Sequence, residues 1–332
     1  MHNVIEKMDW QQLADKALCG ERLTMEEGLA VLLADDGQIL PILQAAYQVR
    51  RHYYGNKVKL NMIMNAKSGL CPEDCGYCSQ SIVSSAPVQK YSLLDKESLL
   101  AGAREAMARK AGTYCIVASG RGPTPRELEQ VIEAVTEIRS TMPLKICACL
   151  GLLGDEQAKR LAEAGVHRYN HNLNTSKANY SAITTTHSYE QRVETVGKVK
   201  ASGMSPCSGV IIGMGESPAE IVEMAYALRE LDADSIPVNF LIPVAGTPLE
   251  GSEKVKPMQA LKVLALFRFI CPSKEIRVSG GRESSLRHLQ PMSLYAANSW
   301  FVGDYLTTGG QEANADHQMI EDLGFEIEEC AL

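Results

Sequence analysis

Cys71, Cys75 and Cys78 fall in one short segment, Cys71-Pro-Glu-Asp-Cys75-Gly-Tyr-Cys78. The C-x3-C-x2-C spacing holds three thiolates on a compact arc of backbone, close enough to occupy three corners of an iron–sulfur cube, and no fourth cysteine lies nearby. One iron would then stay open to a small molecule. Two other chemistries use cysteines in such loops and fit less well. A structural zinc site takes four ligands, usually from paired C-x2-C elements, and a redox dithiol takes two. Gly69, Pro72 and Gly76 let the backbone bend around a bulky group.

Three more cysteines stand in apolar runs that read as strands: Cys115 in 113–118, Cys147 in 144–150 and Cys207 in 206–212, with Arg277 in 275–279. Residues on different strands of a closed barrel converge on its axis when they share the inward parity. Each thiol alone reads as a small buried hydrophobe. Cys149 has the same parity as Cys147, so alternation does not choose between them. Asn170, Asn172 and Asn174 recur at a period of two, which puts amides that both donate and accept on one side of the chain. Asparagines near a strand end also form turns. Thr307 and Thr308 offer hydroxyls and backbone N–H groups to an anion, or belong to an ordinary polar loop. The segment Gly209-Val-Ile211-Ile-Gly213-Met-Gly-Glu216 lacks the G-x-G-x-x-G spacing of a dinucleotide loop.

These groups need a frame, and the rest of the chain describes one. From Val58 onward, short apolar strands alternate with amphipathic helices about every 30 residues, the pattern of β/α units around a parallel sheet. The strands are 58–64, 113–118, 144–150, 168–172, 206–212, 235–241, 275–279 and 299–303, and eight is the barrel number. Thr124 with Glu127, Ser188 with Gln191 and Ser217 with Glu220 read as helix caps; Gly165 and Gly203 read as helix ends. The predicted fold is α/β, a (β/α)8 TIM-type barrel at 56–310, with an N-terminal helical extension at 1–55 and a C-terminal tail packed on the barrel at 311–332. A doubly wound open sheet would use the same units. In a barrel the loops after the strands form the active site, which puts the three-cysteine loop at the mouth.

The formal charge of −7 and pI near 5.6 argue against a nucleic-acid partner and favour a small-molecule substrate. The amino terminus lacks the apolar run of a secretory signal, so a cytoplasmic protein is expected. No stretch approaches the roughly 18 apolar residues of a membrane span; 260–270 comes nearest and is broken by Lys262 and Arg268. Ten cysteines without a secretion signal point to reduced thiols used as ligands. Cys19, Cys149, Cys271 and Cys330 read as buried small hydrophobes instead.

The motif C-x3-C-x-aromatic-C after the first strand, with Tyr77 at the aromatic position, resembles the radical S-adenosylmethionine enzymes. More narrowly, the chain resembles the biotin synthase family from about residue 40 to about residue 310. The segments that carry this are Ser68-Gly-Leu-Cys-Pro-Glu-Asp-Cys75, Tyr169-Asn-His-Asn-Leu173, Cys207-Ser-Gly209, Ile211-Ile-Gly-Met-Gly-Glu216, Pro237-Val-Asn-Phe240, Gly246-Thr-Pro-Leu249, Arg277-Val-Ser-Gly-Gly-Arg-Glu283 and Leu306-Thr-Thr308.

The resemblance implies sulfur insertion into dethiobiotin, with S-adenosylmethionine bound to the open iron of a [4Fe-4S] cluster on Cys71, Cys75 and Cys78. It assigns Cys115, Cys147, Cys207 and Arg277 to a sulfur-donating [2Fe-2S] cluster, choosing Cys147 over Cys149. Arg277 is unusual in that role, because guanidinium is a poor ligand. Tyr77, Asn172, Asn174 and Ile211 would contact S-adenosylmethionine, with Ile211 against adenine. Asn170, Asn172, Thr307 and Thr308 would contact substrate. Where the family pattern often has Asp, this chain has Asn174, whose neutral amide lacks the charge-assisted strength of a carboxylate. A flavodoxin or ferredoxin electron donor and a homodimer are further expectations of the resemblance.

Overall fold

The computed structural model describes residues 8–329. Helices α1 (Trp10–Leu18), α2 (Met25–Leu33) and α3 (Ile39–Tyr54) precede the first strand. Eight parallel staves then close into a barrel. They are β1 (Lys57–Lys67), β2 (Thr113–Ala118), β3 (Lys145–Cys149), β4 (Arg168–Asn170), a fifth stave in two pieces, β5 (Ser205–Cys207) and β6 (Val210–Ile212), then β7 (Ser235–Phe240), β8 (Glu275–Val278) and β9 (Ser299–Phe301). β9 pairs back to β1 with Lys59 opposite Ser299, so this is the closed barrel and not the open doubly wound sheet.

Strand parity sorts the side chains into two populations. Tyr114 and Ile116 of β2, Ile146 of β3, Tyr169 of β4, Ile276 of β8 and Trp300 of β9 join the main hydrophobic core under the helices. Their neighbours Cys115, Cys147 and Phe301 form a separate small cluster with Ile63 and Val117 inside the barrel. The predicted caps form in full: Thr124, Ser188 and Ser217 each make a reciprocal capping box with the residue three further on, starting α5 (Pro125–Thr141), α8 (Tyr189–Ala201) and α9 (Pro218–Glu230). The other helices between staves are α4 (Lys96–Ala108), α6 (Asp155–Glu163) and α7 (Tyr180–Ile183).

Apart from β2, the strand ends shift by one to three residues from the sequence reading, and the changes in the fourth and fifth staves have related reasons. The fourth ends at Asn170 rather than at residue 172, because the chain turns out of the sheet and Asn174 adopts a φ of 70°. The fifth breaks at Ser208 and Gly209, where the Gly209 carbonyl accepts the Asn174 N–H at 3.1 Å. A Cβ at Gly209 would stand 1.9 Å from the Pro237 carbonyl oxygen, so only glycine lets the two staves approach this closely.

The apolar run at 260–270 lies in α10 (Pro257–Ile270), packed among α1, α2, α3, α9 and β8. Its charged groups are satisfied in place: Lys262 pairs with Asp36 at 2.7 Å, and Arg268 donates to the carbonyls of Ala296, Pro272 and Lys274 and to Asn298. No single helix among the described residues is long and apolar enough to cross a membrane. After β8 come α11 (Arg282–Leu286), and after β9 come α12 (Ala313–Asp322) and β10 (Glu326–Ile327), which pairs with β1 outside the barrel.

Candidate active site

The loop after β1 is moored by the two acids inside its own cysteine motif. Asp74 accepts the Thr184 hydroxyl at 2.6 Å and the Thr185 N–H at 2.9 Å, and Glu73 pairs with Arg121 at 3.1 Å. Against the desolvation that would raise it, these donors hold the Asp74 carboxyl well below the usual carboxylate range. The Gly76 N–H donates to the Ile183 carbonyl at 2.9 Å. The three-cysteine arc is thus tied to the segment 183–187, far away in sequence, and is not a free loop.

Cys71, Cys75 and Cys78 all line one cavity of about 320 Å³ at the barrel mouth. Burial pushes all three thiols up, Cys78 to about 12, and their mutual proximity adds to the effect for Cys75 and Cys78. Neutral thiols of this kind become good ligands when a cationic core displaces their protons. His187 Nε2 stands 3.4 Å from Cys75 Sγ, and Arg192 Nη2 donates to the same nitrogen at 3.0 Å. Burial and then the Arg192 charge lower the His187 pKa to about 4, so the imidazole is neutral.

Deeper in the same cavity lie Cys115 and Cys147, while Cys207 stands against Cys147 and Asn170 without lining it. Cys115 and Cys147 are register partners on β2 and β3, and the Cys147 thiol interacts with those of both Cys115 and Cys207. Arg277 on β8 completes the ring; it is 1% exposed, and its charge acts on Cys207 and Cys115. Cys149 also lines the cavity, two residues nearer the mouth. Of the remaining cysteines, Cys271 is buried as expected. Cys19 is exposed at the end of α1, contrary to expectation, because its position follows the last buried residue of that short amphipathic helix. Cys330 lies outside the described residues.

Between the two thiol sets run the polar groups. Asn170, Asn172 and Asn174 all line the cavity although the strand has ended. Asn170 Nδ2 donates to Asn172 Oδ1 at 2.9 Å and to Cys207 Sγ at 3.2 Å, and Asn174 Nδ2 donates to the Tyr77 hydroxyl at 2.7 Å. Tyr77 and Ile211 pack with Ile183, Met214, Leu241 and Leu249 in an apolar cluster beside this pair. Thr307 and Thr308 do not line the cavity; their neighbour Leu306 does, and the Thr307 hydroxyl meets Ser79 at 2.8 Å, next to Cys78.

Several lining residues carried no assigned role in the sequence: Glu73, Arg121, His187, Arg192 and Asn239. Asn239 was within reach, since its inward parity on β7 and its place in the Pro237–Phe240 segment both point into the barrel. Arg192 holds the Asn172 carbonyl at 2.9 Å from within α8, a contact that only the closed fold creates.

The donor set fits the clusters expected of it. Cys71, Cys75 and Cys78 line the cavity together with Cys115 and Cys147, and Cys207 adjoins the Cys147 thiol without lining it. Thiolates spread in this way suit cofactors with several irons.

Comparison with known proteins places these features. Residues 67–228 match the model of the radical SAM superfamily, and residues 237–326 match the biotin and thiamin synthesis associated domain. A curated biotin synthase from Bacillus pumilus is 66% identical over 325 residues, covering 98% of each chain. One from Bacillus cytotoxicus is 62% identical over the full length of both. Among solved structures, methylornithine synthase superposes with a TM-score of 0.84 at 20% identity, over 96% of this chain and 97% of the other. An FeFe-hydrogenase maturase from Carboxydothermus hydrogenoformans gives 0.82 at 17%, over 99% and 83%. At those identities they share the fold.

Proposed function

The chain belongs to the biotin synthase family of radical S-adenosylmethionine enzymes, and on that premise we propose how its own residues divide the conversion of dethiobiotin to biotin. It is a sulfurtransferase, and the observation that carries the division of labour is the single cavity lined by Cys71, Cys75 and Cys78 and by Cys115, Cys147 and Arg277, with Cys207 against Cys147 behind them. Cys71, Cys75 and Cys78 hold a [4Fe-4S] cluster at the mouth, and Cys115, Cys147, Cys207 and Arg277 hold a [2Fe-2S] cluster toward the floor. When bound, the mouth cluster with S-adenosylmethionine supplies hydrogen-abstracting radical chemistry, and the interior cluster supplies sulfur.

The protein's part is placement and exclusion of water. Tyr77, Asn174 and Ile211 receive the nucleoside, Ile211 through the apolar cluster it shares with Tyr77. Asn172, its carbonyl fixed by Arg192, serves both cofactor and substrate. Asn170 stands at the junction, its amide on the Cys207 thiol, so that a substrate bonded to it lies against the interior site. Thr307 and Thr308 take the substrate's carboxylate at the rim, next to Leu306, which lines the cavity. Residues 1–55 serve as a helical extension, 56–310 as the catalytic barrel and 311–332 as a tail on it. A flavodoxin or ferredoxin donor, a homodimer and a cytoplasmic setting complete the reading.

Cys115→Ala tests the assignment. Given reductant, S-adenosylmethionine and dethiobiotin under anaerobic conditions, the parent should form 5′-deoxyadenosine and biotin. The variant should still cleave S-adenosylmethionine while biotin falls to background. Biotin formation at the parent's level by the variant would refute an interior sulfur donor on these residues.

A further inference from the structure

We propose that Glu275 is a positioning residue for the interior site: from the barrel floor it fixes the guanidinium of Arg277 against the cysteines, and Arg168 holds Glu275 in place. The inference rests on the assignment of Arg277 and the three interior thiols given above.

Glu275 and Arg277 lie two residues apart on β8, so both side chains enter the barrel, Glu275 one step nearer the N-terminal end. Arg277 Nη2 donates to Glu275 Oε1 at 2.5 Å and to Ser235 Oγ at 2.9 Å, and Nε donates to Ser299 Oγ at 3.3 Å. Nη1 makes no hydrogen bond among the described residues, so one edge of the guanidinium is pinned and the remaining nitrogen is left for the cavity that Arg277 lines. The Phe301 ring, its centroid 5.0 Å from Cζ, supports the guanidinium from another side.

The carboxylate is itself clamped. Its Oε2 accepts from Arg168 Nη1 at 2.9 Å, the Ser235 hydroxyl donates to Oε1 at 3.0 Å, and Lys59 Nζ lies 3.7 Å from Oε2. Arg168 stands opposite Cys147 in the β3–β4 register, so the same ladder that seats the cysteine seats the clamp. Without Glu275, Arg168 and Arg277 would be two like charges buried together, at 8% and 1% exposure. Glu275 and Arg168 also line a second cavity of about 610 Å³, reached from the N-terminal ends of the staves. Their ion pair is therefore the partition between that side and the interior thiols. The carboxylate therefore fixes which edge of the guanidinium faces the cavity and where its charge sits beside the thiols.

Glu275→Gln keeps the size and an acceptor but removes the charge. In anaerobically reconstituted protein, the parent should hold two spectroscopically distinct clusters. In the variant the mouth cluster's spectrum should stay as in the parent, while the interior cluster either moves to a more positive reduction potential with an altered absorption spectrum or is lost. If the variant does not fold, Ser235→Ala, which leaves every charge in place and removes one Nη2 acceptor, should change the interior cluster's spectrum alone. An interior cluster with the parent's potential and spectrum in the folded variant would overturn the proposal, as would equal loss of both clusters. A parent with only the mouth cluster would overturn the interior assignment and this inference together.

Discussion

Asn174 combines a left-handed backbone with a side chain that lines the cavity. Its φ of 70° lies in the left-handed region that Asn and Asp tolerate better than other side chains, and its amide donates to the Tyr77 hydroxyl inside the cavity. Asn174→Asp should keep this backbone, accept from the same hydroxyl and give a ribose hydroxyl a charged acceptor. S-adenosylmethionine should bind about 3- to 10-fold more tightly, since a charge-assisted bond exceeds a neutral one by roughly 1 kcal/mol. Calorimetric titration of the reconstituted protein measures this, and equal or weaker binding would remove Asn174 from the cofactor's contacts. The three cysteines of the mouth were legible at this scale because local spacing alone brings them together. The neighbour of Cys75 was not: His187 is 112 residues away, and only the closed barrel brings it into contact.

Elements position those residues through their ends. Thr124 and Glu127 form the capping box of α5, and Glu127 also binds Lys67 Nζ at 2.7 Å, tying this helix start to the end of β1 from which the cysteine loop departs. Desolvation acts to raise the Glu127 pKa, but Lys67 and the cap donors outweigh it and hold the group below its ordinary value. The folded protein therefore binds this proton less readily than the unfolded chain. Its contribution is full above the unfolded value of roughly 4.3 and is lost as pH falls through the lowered folded value. Glu127→Gln should flatten that part of the acid limb of stability, and cost about 1 kcal/mol or less at neutral pH because the group is partly solvated. Urea unfolding across acidic pH reads it out; an unchanged limb would count against the cap. Caps of this kind were visible in the sequence because they need only neighbours three residues apart. The break in the fifth stave was not, since it depends on Gly209 meeting a carbonyl of another strand.

For the molecule as a whole, closing eight staves gathers dispersed residues into two thiol groups at different depths, one at the mouth of a cavity and one at and just behind its inner wall. Strand count and alternation made that architecture readable, and inward parity brought Cys115, Cys147, Cys207 and Arg277 together as candidates. The floor beneath them, with Arg168 and Glu275, escaped notice because a buried charge cluster leaves no periodic mark. The central claim is that the mouth site generates the radical while the interior site surrenders sulfur. Iron and sulfide analysis with absorption spectra, taken before and after turnover with dethiobiotin, tests it most directly. Two distinct clusters should be present at the start, and the interior one should disappear in proportion to the biotin formed while the mouth cluster persists. A single kind of cluster, or biotin accumulating with the interior cluster undiminished, would contradict it.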